Sequence, residues 1–166
     1  MRTMPEILAS KRDGHSLSTE DFKYICSNID SIPREQLGAF LMAFQINGLT
    51  PEETSQLTLC MLEAGHRMQA AEGRVDKHST GGVGDKMSII LAPALRAVGA
   101  TVPMLAGRGL AHTGGTIDKL ESIPGFNTGL SMEEMIVNPC FISRQTEDIA
   151  PADRILYSIR DITATV

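Results

Sequence analysis

The sequence predicts an α/β protein that begins with a small all-helical lobe and continues into a glycine-rich α/β segment. Two observations support this prediction. Up to about residue 66, apolar residues recur at helical spacing between clear helix start and stop signals. From about residue 70, glycine becomes frequent, and short apolar runs alternate with helical ones in the order typical of strand, loop and helix.

The first two helices are indicated by their start signals. The segment TMPEILASKRDG has Pro5 near its start, where a helix tolerates the missing N–H. In LSTEDFKYICSNI, Ser18 is a good N-cap and Asp21 follows three residues later, which is close to a capping box. We therefore expect two short helices here.

The third and fourth helices combine apolar residues with start and stop signals. In PREQLGAFLMAFQINGLT, one apolar face is predicted from Leu37, Phe40, Leu41 and Phe44. Asn47-Gly48 ends this helix. Thr50, Pro51 and Glu53 then supply an N-cap, a proline at the first helical position and an acidic residue in the first turn, and the fourth helix runs to Gly65.

The glycine-rich part is predicted to alternate helices and strands. DKMSIILAPALRAVGA predicts a buried helix closed by Gly99, and TVPML predicts a strand. SMEEMIV indicates a brief helix and CFIS a short strand, and APADRILYSIRDI predicts the last helix.

Composition excludes several classes of protein. The 166 residues are 42% hydrophobic and 21% charged, which suits a packed core. The net charge of −5 argues against a nucleic-acid-binding surface, which needs clustered Lys and Arg. The three cysteines have neither metal-site nor disulfide-framework spacing, and no signal peptide or bilayer-spanning apolar run is evident. We expect a cytoplasmic protein that binds neither nucleic acid nor membrane.

A short motif, Thr-Gly-Gly-x-x-Asp-Lys, occurs twice, at residues 80–86 and 113–119, each time just after a histidine. Its glycines allow the backbone N–H groups to approach a ligand closely. We expect a helix to begin at about Asp85, so that free N–H groups and the positive end of the helix dipole face the loop. Lys77 adds positive charge, and hydroxyls follow in both loops. Two such loops could hold one phosphate between them.

Other glycine-loop families are excluded by spacing. A P-loop needs Ser or Thr after its lysine, and Met87 follows Lys86. A dinucleotide loop needs a third glycine where this chain has His112. His78, between Lys77 and Ser79, is as good a candidate for chemistry as for structure, whereas His112 is the weaker candidate. No His, Cys or Asp cluster has metal-site spacing, and we expect no metal.

Longer stretches resemble one enzyme family. DKHSTGGVGDK and GRGLAHTGGTIDKLESIPGF are similar to signature segments of the thymidine and pyrimidine-nucleoside phosphorylase family, and MPEILASKRDGHSLSTEDF and APADRILYSIRDITATV resemble its flanking blocks. The resemblance implies reversible conversion of thymidine, or deoxyuridine, and inorganic phosphate into the free base and 2-deoxy-α-D-ribose 1-phosphate. It implies phosphate as a co-substrate and no cofactor.

The resemblance also implies roles for individual residues. The family's phosphate contacts fall on Lys77, Ser79, Ser88 and Thr116. His78 corresponds to a histidine beside the pyrimidine, a candidate proton donor to a base oxygen. The remaining pyrimidine contacts fall on Leu110, Tyr157 and Arg160, and the arginine holds the ring. We expect His78 and Arg160 to be the catalytic pair.

The resemblance further implies an organisation of the chain. Residues 1–66 form a helical lobe that makes a homodimer contact, and 67–150 form a partial phosphate-binding α/β domain. Residues 151–166 form a helix that returns to the lobe. The family's larger mixed sheet, with a serine and a lysine of its pyrimidine site, would follow Val166. We therefore expect an N-terminal portion that is inactive by itself.

The sequence departs from the family pattern at two further places, and two alternative functions stay open. Ala106 stands where the family has a phosphate-binding serine, and the stretch 126–150 is shorter than in relatives. One alternative is a non-catalytic truncated isoform that dimerises with, or inhibits, the full-length enzyme. The other is a phosphoribosyltransferase of the same architecture, with Asp85 and Asp118 as the nearby carboxylates for a metal.

Overall fold

The computed structural model describes residues 2–77, 85–109 and 114–163, with side chains described as far as Ile159. The chain divides into two compact units. Residues 1–66 and 150–166 form the helical unit, and residues 67–149 form the α/β unit. Within the described residues, no helix is long and apolar enough to cross a membrane.

Each helix and strand predicted from the sequence is found among the described residues, and the short helix Thr116–Glu121 was not predicted. The elements are α1 Met4–Arg12, α2 Thr19–Ser27, α3 Arg34–Asn47, α4 Pro51–Glu63, α5 Met87–Ala97, β1 Val102–Leu105, α6 Thr116–Glu121, α7 Met132–Val137, β2 Cys140–Ser143 and α8 Pro151–Thr163.

Capping side chains define the starts of α2 and α4. The Ser18 hydroxyl accepts from the Asp21 N–H at 3.3 Å, and the Asp21 carboxylate accepts from the Ser18 N–H at 2.8 Å. Thr50 and Glu53 make the same reciprocal pair at 3.1 and 2.9 Å. Each capping box satisfies N–H groups that the helix itself leaves free, so these local signals predicted both starts correctly.

The core of the helical unit is aliphatic and phenylalanine-rich. The predicted face of α3 points into it, with Leu37 and Phe40 fully buried and Leu41 and Phe44 partly buried. The Phe40 and Phe44 rings lie 4.1 Å apart between centroids. Helix α8 contributes Ala152, Ile155, Leu156 and Ile159 to the same core. Helix α8 therefore belongs to the helical unit although it is far away in sequence.

The α/β unit is built on two parallel strands. Strand β1 pairs with β2 in a register that runs from Val102 opposite Cys140 to Leu105 opposite Ser143. A parallel bridge between Arg74 and Thr101 brings the segment before Lys77 beside the start of β1. Because parallel strands end at the same edge, the loops that follow both strands meet there, where α/β proteins bind ligands.

Helix α5 differs from its prediction. It was expected to be buried, but Met87, Ile90 and Val98, just beyond its last residue, are largely exposed. Ser88 and Ala92 are its buried residues. The helix packs against β1 and β2 along one side, so its nearly continuous apolar sequence led to an overestimate of burial.

A buried ion pair joins α1 to α4 in the helical unit. The Lys11 ammonium donates to both carboxylate oxygens of Glu53, at 2.9 and 3.0 Å, and both side chains are at most 4% exposed. Glu53 also accepts from the backbone N–H groups of Leu17 and Thr50, each at 2.9 Å. Burial raises the pKa of Glu53, but these donors outweigh it and hold the pKa below its usual value.

We expect Lys11→Met to destabilise the helical unit by about 3 kcal/mol, because it leaves the Glu53 carboxylate buried without its cation. Urea unfolding followed by far-UV circular dichroism at pH 7 measures the effect. Arg12→Met is the matched control, since its partner Asp13 is exposed, and it should change the stability by no more than about 1 kcal/mol. Equal losses in the two variants would contradict the prediction.

The stability difference between the wild-type chain and Lys11→Met depends on pH. The folded-state pKa of Glu53 is lowered, so the stabilisation is present above pH 4.5, its ordinary value, and is lost as the pH falls through the lowered pKa. The stability difference between the wild-type chain and Lys11→Met should therefore shrink on acidification. A difference that stays constant from neutral pH to about pH 3 would contradict the role given to Glu53.

Candidate functional site

The first glycine loop is described on either side of residues 78–84. Lys77 lies at its start, where the backbone of Val75 pairs with Thr101 at 2.9 Å. Asp85 lies at its end, two residues before the first residue of α5, Met87. The Lys77 ammonium contacts the Asp85 carboxylate, so the two ends of this loop are joined by an ion pair.

Asp85 divides its two carboxylate oxygens between the helix and the loop. Oδ1 accepts from the backbone N–H groups of Met87 and Ser88, at 3.0 and 3.4 Å. Oδ2 accepts from the Lys77 ammonium and from the Ser88 hydroxyl. Lys77 also donates to the Ser88 hydroxyl at 3.2 Å, which closes a triangle of three polar side chains.

This arrangement changes the electrostatics expected of the loop. The hydrogen bond from Lys77, followed by the one from Ser88, lowers the pKa of Asp85 to about 2. Asp85 is therefore ionised at neutral pH, and it partly balances the charge of Lys77. The N–H groups of Met87 and Ser88 were expected to be free for an anion, but in this structure they donate to Asp85 instead.

The second loop is organised by Asp118, the equivalent aspartate of the repeated motif. Its Oδ2 accepts from the backbone N–H groups of Gly109 and Gly115, at 2.7 and 2.9 Å. Arg108 donates to its Oδ1 at 2.9 Å and also pairs with Glu121. Burial raises the pKa of Asp118, but these donors outweigh it, and the net pKa lies below its usual value.

Gly115 is required by a close backbone approach. A Cβ atom built on it would lie 2.2 Å from the Gly109 nitrogen and 2.3 Å from the carbonyl carbon of Arg108. Neither atom belongs to a flexible side chain that could move aside. The second glycine of this motif therefore lets the stretch after β1 pack against the start of α6.

A hydrogen bond connects the two loops. The buried Thr116, first residue of α6, donates from its hydroxyl to the main-chain carbonyl of Asp85 at 3.1 Å. Lys77, Ser88 and Thr116 thus all contact Asp85. An ammonium and two hydroxyls gathered at the edge of a parallel sheet form an arrangement suited to a small oxyanion such as phosphate.

Several predicted site residues fall outside this description. His78, Ser79 and Leu110 lie outside the described residues, as does His112. Arg160 lies in α8, with its side chain outside the described part. Tyr157, also in α8, is half-buried and belongs to the helical unit. The phosphate contact of Ser79 and the base contacts of His78, Leu110, Tyr157 and Arg160 stay predictions.

From the sequence, the two aspartates were expected only as a helix start and as carboxylates for a metal. Their hydrogen bonds to the loops were missed. The repeated motif was the available signal, because it places an aspartate at the same point after both glycine pairs. Among the described residues, no group of three or more His, Cys, Asp or Glu side chains is placed to hold a metal ion.

Two family models match the chain. The model described as "Glycosyl transferase family, helical bundle domain" matches residues 5–65. The model described as "Glycosyl transferase family, a/b domain" matches residues 71–166.

Curated proteins that resemble the chain are phosphorylases. The thymidine phosphorylase of Homo sapiens is 50% identical over 175 aligned positions, covering 99% of this chain and 36% of the relative. The pyrimidine-nucleoside phosphorylase of Geobacillus stearothermophilus is 43% identical, covering 98% of this chain and 40% of the relative. The chain therefore spans less than half the length of these relatives.

A solved structure has a similar fold. The anthranilate phosphoribosyltransferase of Thermus thermophilus matches with a TM-score of 0.67, covering 96% of this chain and 51% of that protein. At 16% sequence identity, this similarity concerns the fold alone.

We expect Gly115→Ala to destabilise the α/β unit by about 2 kcal/mol or more, because the new methyl group must displace the backbone of residues 107–109. Gly114→Ala is the matched control. A Cβ there would meet nothing within 4 Å, so the change should stay within about 1 kcal/mol. Urea unfolding, monitored through the amide NMR signals of residues 85–109, distinguishes the two variants. Equal stability of both variants would show that the close approach is not required.

Proposed function

Because the chain belongs to the glycosyl transferase family whose helical bundle and a/b domain models match its two parts, we propose that it supplies the phosphate-binding part of a pyrimidine-nucleoside phosphorylase. The proposed reaction is the reversible conversion of thymidine and inorganic phosphate into thymine and 2-deoxy-α-D-ribose 1-phosphate. The similarity to phosphorylases at 43–50% identity supports this substrate class. The activity is proposed for the site as a whole, to which this chain contributes one part.

One observation supports the phosphate half of the proposal above all. Lys77, Ser88 and Thr116, which are far apart in sequence, all contact Asp85 in the α/β unit. These are the described members of the set assigned to phosphate by resemblance, and Ser79 completes that set. An ammonium has three donors and each hydroxyl has one, which suits a multiply charged oxyanion.

In the proposed reaction, these residues hold the nucleophile, which is inorganic phosphate. A phosphate oxygen forms a bond to C1′ of the sugar while the bond from C1′ to the base nitrogen breaks, and the electron pair of that bond leaves with the base. Fixing phosphate beneath the sugar turns an encounter of two molecules into a reaction within one complex. Lys77 and the hydroxyls would provide that fixation.

The leaving base needs a separate set of groups. Negative charge develops on the pyrimidine as the glycosidic bond breaks, and a proton donor or a cation stabilises it. We assign His78 to proton donation and Arg160 to holding the ring, with Leu110 and Tyr157 as packing partners. A homodimer contact through the helical lobe is also part of the proposal.

The test uses the longest natural form of the protein that carries residues 1–166, assayed for phosphate-dependent release of thymine from thymidine. We expect Lys77→Met to reduce turnover at least a hundredfold, because it removes the cation of the phosphate site. Lys86→Met is the matched control: this lysine is exposed, and no polar contact of its side chain is found in the described part of the chain. It should keep near-normal turnover.

Three outcomes would change the proposal. Phosphate-independent release of thymine would contradict phosphorolysis. Metal-dependent consumption of phosphoribosyl pyrophosphate without thymidine turnover would favour a phosphoribosyltransferase. Absence of both activities, together with inhibition of a full-length phosphorylase by this chain, would favour a non-catalytic partner.

A further inference from the structure

The described residues assigned to phosphate meet at one residue, Asp85, that has no role in the proposed function. Asp85 receives the Lys77 ammonium and the Ser88 hydroxyl on its carboxylate, and the Thr116 hydroxyl on its main-chain carbonyl. The Asp85 side chain is 12% exposed and that of Lys77 is 30% exposed. A largely buried carboxylate at the centre of an anion site requires an explanation, because its charge repels the ligand.

Capping of α5 accounts for only one of the two carboxylate oxygens of Asp85. Oδ1 alone accepts the N–H groups of Met87 and Ser88, as a capping oxygen does. Oδ2 accepts from side chains only, the Lys77 ammonium and the Ser88 hydroxyl. The carboxylate therefore has one oxygen directed to the helix and the other to the phosphate-binding side chains.

The equivalent aspartate of the second motif provides a comparison. Asp118 uses Oδ2 for the backbone N–H groups of Gly109 and Gly115, and Oδ1 for Arg108. It therefore fixes the shape of a loop, whereas Asp85 contacts side chains assigned to the ligand. The same motif position has two different uses in the two loops.

We propose that Asp85 is a positioning residue of the phosphate site, which holds Lys77, Ser88 and Thr116 in place before phosphate arrives. The proposal rests on the proposed function, since it takes those residues as the phosphate ligands. In this role, Asp85 itself touches neither phosphate nor the reacting atoms. It acts through the three side chains that it orders.

Donor counting shows how the site would receive phosphate. The Lys77 ammonium has three N–H donors, and its contacts within the described residues use one for Asp85 and one for Ser88, which leaves a third that phosphate can take. Lys77 can therefore keep its contact with Asp85 while it binds the ligand. The Ser88 and Thr116 hydroxyls each have a single proton, now given to Asp85, and each must turn this proton to phosphate when the ligand binds.

Pre-ordering explains why a carboxylate is tolerated beside an anion. Lysine has a flexible four-carbon stem, and ordering it on ligand binding carries an entropic penalty. The ion pair with Asp85 orders the stem in advance. The gain from pre-ordering must exceed the repulsion between the carboxylate and phosphate, and this is what the experiment measures.

Asp85→Asn separates the two uses of the side chain. The amide oxygen can still cap α5, but the amide nitrogen that replaces Oδ2 is a donor and cannot accept from Lys77 or Ser88. We expect the dissociation constant for inorganic phosphate, measured by calorimetry on the 166-residue chain, to rise about tenfold with little change in thermal stability. In the longest natural form, the KM for phosphate should rise similarly while the KM for thymidine changes little.

Glu134→Gln is the control from the same unit. Glu134 caps α7 by accepting from the Ser131 N–H at 2.8 Å, so it tests loss of a capping carboxylate away from the site. It should leave phosphate binding unchanged. Unchanged or tighter phosphate binding in Asp85→Asn would overturn the proposal, as would failure of the wild-type chain to bind phosphate.

A second measurement does not depend on phosphate. Because hydrogen bonds from Lys77 and Ser88 hold the pKa of Asp85 at about 2, Lys77→Met should raise it towards 3.8, as followed by NMR of the carboxyl carbon. An Asp85 titration that is the same in both proteins would overturn the ordering role. If Asp85 behaves as expected and thymidine is not turned over, the proposed reaction fails while the positioning role stands.

Discussion

The structure depends on one physical requirement: a carboxylate removed from water must be matched by enough donors to stay ionised. Glu53 meets this requirement in the helical unit with the Lys11 ammonium and two backbone N–H groups. Asp85 meets it in the α/β unit with an ammonium, a hydroxyl and two backbone N–H groups. In the helical unit, the Lys11 and Leu17 donors come from segments that local structure alone would not bring to Glu53, and in the α/β unit Lys77 and Ser88 come from the two sides of the first glycine loop. The charged groups therefore fix how those segments meet, in addition to apolar packing.

The repeated Thr-Gly-Gly-x-x-Asp-Lys motif shows that a short sequence repeat need not mean repeated chemistry. In the second copy, the aspartate lies inside α6 and ties backbone N–H groups together, and Gly115 allows the close approach. In the first copy, the aspartate precedes α5 and collects side chains. The difference follows from where the helix begins relative to the motif. The hydrogen bond from Thr116 to the Asp85 carbonyl then joins the two loops at the proposed site.

Sequence reasoning succeeded where the cause is local. Capping boxes, Pro51 at a helix start and glycine after a helix end act within a few residues, so the helices of the first lobe were predicted closely. It failed where the cause is distant. The pair of Lys11 and Glu53 joins residues 42 positions apart, and the contact of Thr116 with Asp85 spans 31 positions. The exposure of α5 was also missed, because an apolar sequence shows what a helix can bury but not what packs against it.

In the proposed phosphate site, Ala106 would make the ordering of the remaining ligands more important. The resemblance to the phosphorylase family implies a serine hydroxyl at this position, and alanine has none. The Ala106 backbone is held by the sheet, since its N–H donates to the Ser143 carbonyl at 2.9 Å, and the Ser143 hydroxyl is taken by the Thr128 carbonyl at 2.7 Å. The Ala106 N–H and the Ser143 hydroxyl are therefore both engaged, and neither replaces the missing serine hydroxyl. In the proposed site, the absence of this hydroxyl would make the Lys77 ammonium more important, and the ion pair with Asp85 orders that ammonium in advance.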